Sequence, residues 1–377
     1  MFTADQRWDS LRRIPFSTPG RWIQTLDVSS LSSSLPTRSA KLRADTVLSS
    51  LFRIIPFLST LILDPKMVLS GRAMTALAEG CGGRIRVLKG LSAGLDFGSM
   101  PPSPFLVARD PLTALVRVCR FIEVLEVFGP GQTQDEESFL QLQMAHELTY
   151  EALALNRLHT LTLHGIPQSP LFYALLKSGL PSLSRLTLTI YPSVLMPSPS
   201  ALFLSAHGQT IESLILPAPP DWPAPDYASY NPSLISANSP ESLLHILPRL
   251  VRLNLSFPLP PLLLIPLTSS PYPHPLRTLF FPRPIPSLLP FIIEMANENG
   301  LHGSSSHAQS HDSELHDHAP GIGSLRTVVW TKSKWLRSDV GHTSRTARTS
   351  GEQVEMRRWK RVLAGKVRLL DADGKEA

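Results

Sequence analysis

Cysteine is almost missing from this 377-residue chain. There are two, Cys81 and Cys119, and neither sits in a C-x-x-C pair. That argues against a disulfide framework and against a structural zinc site. Long apolar runs are missing too. The most apolar stretch, Phe257 to Leu267, is short and broken by four prolines, so it is not read as a membrane span. The opening residues, Met-Phe-Thr-Ala-Asp-Gln-Arg-Trp, lack the apolar core of a secretory signal. Neither G-x-x-x-x-G-K-S/T nor G-x-G-x-x-G occurs, so no loop is built to cradle phosphates. These absences lead us to expect a cytoplasmic or nuclear protein with no cofactor, no metal and no membrane contact.

Proline is abundant, at 36 residues, nearly twice average usage. The net charge of +6 is unevenly placed. Residues 331–377 hold 12 Lys and Arg against 6 Asp and Glu, and the rest of the chain is neutral. A basic tail can touch nucleic acid. Interspersed acids favour a solvated linker and helix face instead, so nucleic acid is not the expected partner.

The stretch Leu158 to Leu188 shows the organising pattern. Leu161 and Leu163 alternate with threonines, which predicts a strand. Ser169 and Pro170 fit an N-cap and a first helical position. Phe172, Leu175 and Leu176 form one apolar helix face. Gly179 is placed for a left-handed helix stop. Then L-x-x-L-x-L begins again at Leu183. Copies start at Ile23, Leu58, Ile85, Ile122, Leu158, Leu183, Ile211, Leu250, Leu276 and Leu325. Four of the gaps, 25 to 28 residues, suit a short strand–helix repeat, and the longer ones, 35 to 49, carry insertions.

Helix starts recur between the strands. Asp110-Pro111 precedes the strand at Ile122, Ser239-Pro240 precedes Leu250, and Ser287 opens Leu288 to Ala296. Val47 to Phe57 reads as a further repeat helix. Alternation of this kind implies parallel strands with right-handed crossovers. The predicted organisation is a polar arm over 1–20, then a repeat array over 21–330. Disordered insertions interrupt the array at about 217–238 and 301–323. A basic linker follows over 331–351, then a helix and a closing strand over 352–377. In that helix Met356, Trp359, Val362 and Leu363 share a side and Gly365 is the stop.

These repeats resemble leucine-rich repeats of ribonuclease-inhibitor type. More narrowly, Gly20 to Ser29, Asp110 to Val116 with Ile122 to Gly129, and Arg358 to Arg361 with Val367 to Gly374 resemble fungal F-box proteins with degenerate repeats. The resemblance implies an α/β fold, an irregular solenoid with parallel strands on its concave face and helices on its convex face. It also implies a repeat surface that recruits a partner for ubiquitination. The F-box helices, with their L-P-x-E opening, are not found ahead of the first repeat. The Skp adaptor of cullin-type ligases is therefore expected as a partner only if an F-box lies upstream.

Chemical motifs are few. Gly90-Leu-Ser92-Ala-Gly94 matches the nucleophile elbow G-x-S-x-G, so a serine hydrolase using Ser92 is the alternative from another class, beside a stand-alone leucine-rich-repeat interaction protein with no ubiquitin link. No helix pattern follows it, and the bland reading is a turn. Asp96-Phe97-Gly98 spells a kinase magnesium motif without its companions. His302, His307, His311, His316 and His318 lie in a segment with almost no apolar residue to hold a metal site. Cys81 and Cys119 read as buried structural thiols, and Trp330, Trp335 and Trp359 as core rather than base-stacking residues.

The predicted site is a face instead. In L-x-x-L-x-L the third and fifth positions point away from the core. The candidate protein-binding residues on the concave face are Thr160, Thr162, Arg185, Thr187, Ser213, Ile215, Arg252, Asn254, Thr278 and Phe280. They mix arginine, threonine and apolar groups with hardly any acid, which suits a protein partner, an acidic one in particular. The competing reading is that Thr, Val and Ile serve strand propensity alone.

Overall fold

The computed structural model describes residues 19–35, 37–92, 110–129, 150–166, 169–189, 199–217, 243–256, 274–297, 325–335 and 346–376. Two compact units divide the chain. The first is Met1–Tyr191 with Pro219–Asp221, the second Pro192–Ala218 with Trp222–Ala377.

The first unit contains β1 (Thr25–Val28), β2 (Thr60–Leu63), β3 (Val87–Ser92), β4 (Val124–Phe128), β5 (Thr160–His164) and β6 (Arg185–Leu188). Each pairs in parallel with the next. Every strand begins at the third position of a sequence repeat, and the register aligns like positions: Thr25, Thr60, Val87, Val124, Thr160 and Arg185 are successive partners. Burial alternates along the strands: Leu61, Leu125 and Leu161 are fully buried while the residues beside them are half-exposed. One face is therefore covered and the other is open, as period-2 patterning requires.

Helices join these strands. α1 (Arg38–Phe52) packs on α2 (Gly71–Cys81), α2 on α3 (Pro111–Val118), and α3 on α4 (Pro170–Lys177). Side-chain oxygens cap each start: Thr37 accepts from Ala40 N, Ser70 from Ala73 N, Asp110 from Leu112 N and Thr113 N, and Ser169 from Phe172 N. These bonds satisfy donors that the first helical turn leaves without partners. Proline follows the cap in α3 and α4, as the sequence predicts. Buried Asp45 of α1 also accepts Ser70 N and Ser70 Oγ, at 2.8 and 2.6 Å, so one helix fixes the start of the next.

The second unit repeats the plan with β7 (Ser213–Leu216), β8 (Arg252–Leu255), β9 (Thr278–Phe281), β10 (Thr327–Trp330) and β11 (Arg368–Leu370). Again each is parallel to the next, and Ser213, Arg252, Thr278, Thr327 and Arg368 are successive partners. Its helices are α5 (Pro199–His207), α6 (Leu243–Ile246), α7 (Leu289–Asn297) and α8 (Thr346–Leu363). The closing strand lies where the sequence places it. Trp330, Trp359, Met356 and Leu363 are fully buried. Trp330 makes edge contacts with Trp335 and Trp359, at centroid distances of 5.4 and 5.9 Å. Within each unit, parallel strands in chain order joined by helices make an α/β fold compatible with a solenoid-like arrangement.

Four details differ from expectation. Gly179 is not left-handed. α4 ends at Ser178, which is already extended (φ −82, ψ 141), and the Ser178 hydroxyl bonds Ala174 O and Leu153 N. Those bonds close the helix without the glycine. α8 begins at Thr346, inside the expected linker. Val362 is exposed, because the buried stripe runs through Met356, Trp359 and Leu363. The repeat helix expected at Val47 to Phe57 spans Arg38–Phe52, so Val47 sits on its exposed side. The cap expected at Ser239 and the insertions at 217–238 and 301–323 fall almost wholly outside the described residues.

A further repeat position emerges. Three residues before several strand motifs start, a buried residue accepts a backbone N–H from that start. Ile55, Cys119, Leu155 and Leu180 do so in the first unit, and Leu247 in the second. This turn ties helix exit to strand entry, and it makes Cys119 an occupant of a repeat position.

Candidate functional site

The open face of each unit is set by backbone bonds that recur from strand to strand. The carbonyl of the second motif position accepts two N–H groups of the next strand. Ser59 O takes Arg86 N and Val87 N, Arg86 O takes Glu123 N and Val124 N, and Glu123 O takes His159 N and Thr160 N. In the second unit Val251 O takes Arg277 N and Thr278 N, and Arg277 O takes Arg326 N and Thr327 N. Second and third positions are thereby locked in line along the strand starts.

In the first unit Thr160, Thr162 and Thr187 are half-exposed and Arg185 is exposed. Thr160 pairs in register with Arg185, and Thr162 with Thr187. Thr160 Oγ1 lies 2.9 Å from His159 Nδ1. In the second unit Ser213, Asn254, Thr278 and Phe280 are half-exposed, and Ile215 and Arg252 are exposed. Ile215, Asn254 and Phe280 are successive register partners, as are Ser213, Arg252 and Thr278. Both predicted columns therefore form continuous rows within each unit.

The motifs weighed for chemistry fall as follows. Ser92 ends β3 and is half-buried. Gly90 answers to the backbone: its φ is 72°, and a Cβ there would meet Leu63 O at 2.0 Å, at a break in the β3–β4 register. Ser92 partners Phe128, which partners His164. The imidazole thus lies two strands away, about 10 Å by strand spacing. It stacks on Phe128 at 4.9 Å, and its Nδ1 lies 3.3 Å from Thr189 Oγ1. Burial lowers its pKa. Ala93, Gly94 and Asp96-Phe97-Gly98 lie outside the described residues, as does the histidine-rich segment. Among the described residues no group of His, Cys, Asp and Glu could hold a metal, and no helix is long and apolar enough to cross a membrane. Cys81 and Cys119 are buried, and burial pushes their thiols up to about 11 and about 12, away from the reactive range.

The third and fifth columns are not the whole of the open face, because the second motif position shares it. It is exposed or half-exposed along both units and includes Arg86, Glu123, Arg277 and Arg326. Its signal was present in the same six-residue motif, one place earlier.

The fold and the two open rows thus define a class, an α/β repeat-like protein with a solvent-facing sheet surface. Protein-family models, curated proteins and solved structures were each compared with the chain, and none matches.

Proposed function

We propose that the chain is a protein-binding scaffold whose partner docks on the open sheet face. One observation carries this. On strand after strand in each unit, the third and fifth side chains are aligned in register and left exposed or half-exposed. A sheet presenting arginine, threonine, asparagine and aromatic groups, most of them without side-chain partners among the described residues, offers both anchors and polar contacts. A finer reading rests on the resemblance alone: a substrate-recognition module of F-box type, which delivers its partner for ubiquitination.

The test is affinity purification of the tagged chain beside an Ile215→Asp/Phe280→Ser variant, read by mass spectrometry. A partner present with the wild type and lost from a folded variant is expected. An unchanged set of partners would remove the face from the argument. For the finer reading, the partner's half-life should lengthen when the chain is depleted, and an unaltered half-life would refute it.

A further inference from the structure

The second unit carries three exposed arginines along one edge that form no ion pair among the described residues. Arg252 stands at the third position of β8, and Arg277 and Arg326 at the second position ahead of β9 and β10. All three are exposed. Arg326 N donates to Arg277 O at 3.0 Å, so these two arginines sit side by side on adjacent strands, about 4.8 Å apart. Like charges so placed repel each other.

Apart from Glu212, whose backbone carbonyl accepts Arg252 N–H, the described carboxylates of this unit are engaged elsewhere. Glu352 bonds Ser333, and Glu355 holds Trp359 Nε1 and Arg358. Asp371 accepts the N–H groups of Trp335, Asp373 and Lys375, while Asp373 pairs with Lys334 at 2.7 Å. Glu212 is exposed and forms no ion pair among the described residues.

Two observations indicate what fits. In the first unit the same two positions on neighbouring strands hold Arg86 and Glu123, with Nη1 and Oε1 3.6 Å apart. A carboxylate at this edge therefore reaches an arginine. In the second unit the chain itself supplies one. After β11 it turns back, Leu370 and Glu376 form an antiparallel bridge, and the Glu376 carboxylate lies 3.1 Å from Arg368 Nη2. Arg368 is the next strand's third-position residue, in register with Thr327. A carboxylate carried past β11 by a turn and a single-residue bridge thus sits beside the third-position arginine of the last strand.

We propose that Arg252, Arg277 and Arg326 bind an extended acidic segment of a partner protein. The proposal rests on the scaffold reading above and names the chemistry of the partner. Carboxylates along the segment take the place that Glu123 holds beside Arg86 and Glu376 beside Arg368. Their charge removes the repulsion between Arg277 and Arg326. Binding of this kind is rapid and weakens with salt.

The full chain should be titrated with a fluorescein-labelled Glu-Ser repeat decapeptide, with the Gln-Ser counterpart as control, by fluorescence anisotropy. The acidic peptide should bind, less tightly at high salt, and the control should not. Arg277→Glu/Arg326→Glu should weaken binding by at least about tenfold, and Arg277→Gln/Arg326→Gln should weaken it as well, which guards against a folding defect in the charge reversal. Arg86→Gln in the first unit should leave it unchanged. Equal binding by folded double variants overturns the proposal. So does binding of single-stranded RNA or of anionic vesicles by a chain that ignores the acidic peptide. If the peptide result fails while Ile215→Asp/Phe280→Ser still loses its partner, the scaffold reading stands and only the arginine edge falls.

Discussion

Two places in the molecule share one backbone and differ in charge. Ahead of β3 and β4, the second motif position holds Arg86 and Glu123, an ion pair at 3.6 Å. Ahead of β9 and β10, the same position holds Arg277 and Arg326. The backbone bonds match: Arg86 O accepts Glu123 N at 2.7 Å, and Arg277 O accepts Arg326 N at 3.0 Å. The ladder is indifferent to what these side chains carry, because they face solvent and contribute little to folding. Position on the sheet is set by the buried leucines, and charge at the edge is left free to vary.

If that division is right, the largest effects come from the core and are alike in both units. Leu161→Ala and Leu253→Ala remove fully buried side chains and should each cost about 2–5 kcal/mol. Thr162→Ala, one residue along, should stay within about 0.5 kcal/mol. Denaturant melts measure all three, and a loss at Thr162 equal to that at Leu161 would break the assigned register.

An alkaline titration separates the units next. Both cysteines belong to the first, and burial raises their thiols from 9.0 to about 11 and about 12. The native state keeps protons there that the unfolded chain releases. Stability from this source is therefore full below pH 9.0 and lost as pH rises through about 11 and about 12. Hydrogen exchange should show the first unit loosening as pH climbs, in excess of Cys81→Ala/Cys119→Ala, while the second follows the same course in both proteins. Identical alkaline behaviour of the wild type and the variant would refute the assignment.

The smallest effect lies at the edge itself. Glu123→Gln should cost less than about 1 kcal/mol, and added salt should shrink the loss. Arg326→Glu should stabilise by a similarly small amount, since it gives Arg277 the neighbour that Arg86 has. A loss above about 2 kcal/mol for Glu123→Gln would make the ion pair a structural element and undo the contrast.

Much of this was legible in the chain. Alternating Leu and Thr in Leu158 to Leu163 foretold β5, its register with β6 and the openness of Thr160 and Thr162, because a pleated strand sends successive side chains to opposite faces. Asp110-Pro111 and Ser169-Pro170 foretold two helix starts, because capping is a local bond between a side chain and the next turn. Gly365 was rightly read as a stop, with φ at 74°. Gly179 was not, because the bond from Leu153 N to Ser178 Oγ spans 25 residues of sequence and leaves no local mark.

Periodicity and caps, being local, were determined by the sequence: the ten motif strands among the described residues, the inward leucines and the outward columns. The tertiary structure decided whatever depends on which strand lies beside which. It placed Glu123 against Arg86, Arg326 against Arg277, and Glu376 on Arg368. The first two pairs join different repeats, separated by connections of unequal length, whereas Glu376 reaches Arg368 across a local turn. Charge acts across the few ångströms between strands, and no spacing along the chain encodes that distance.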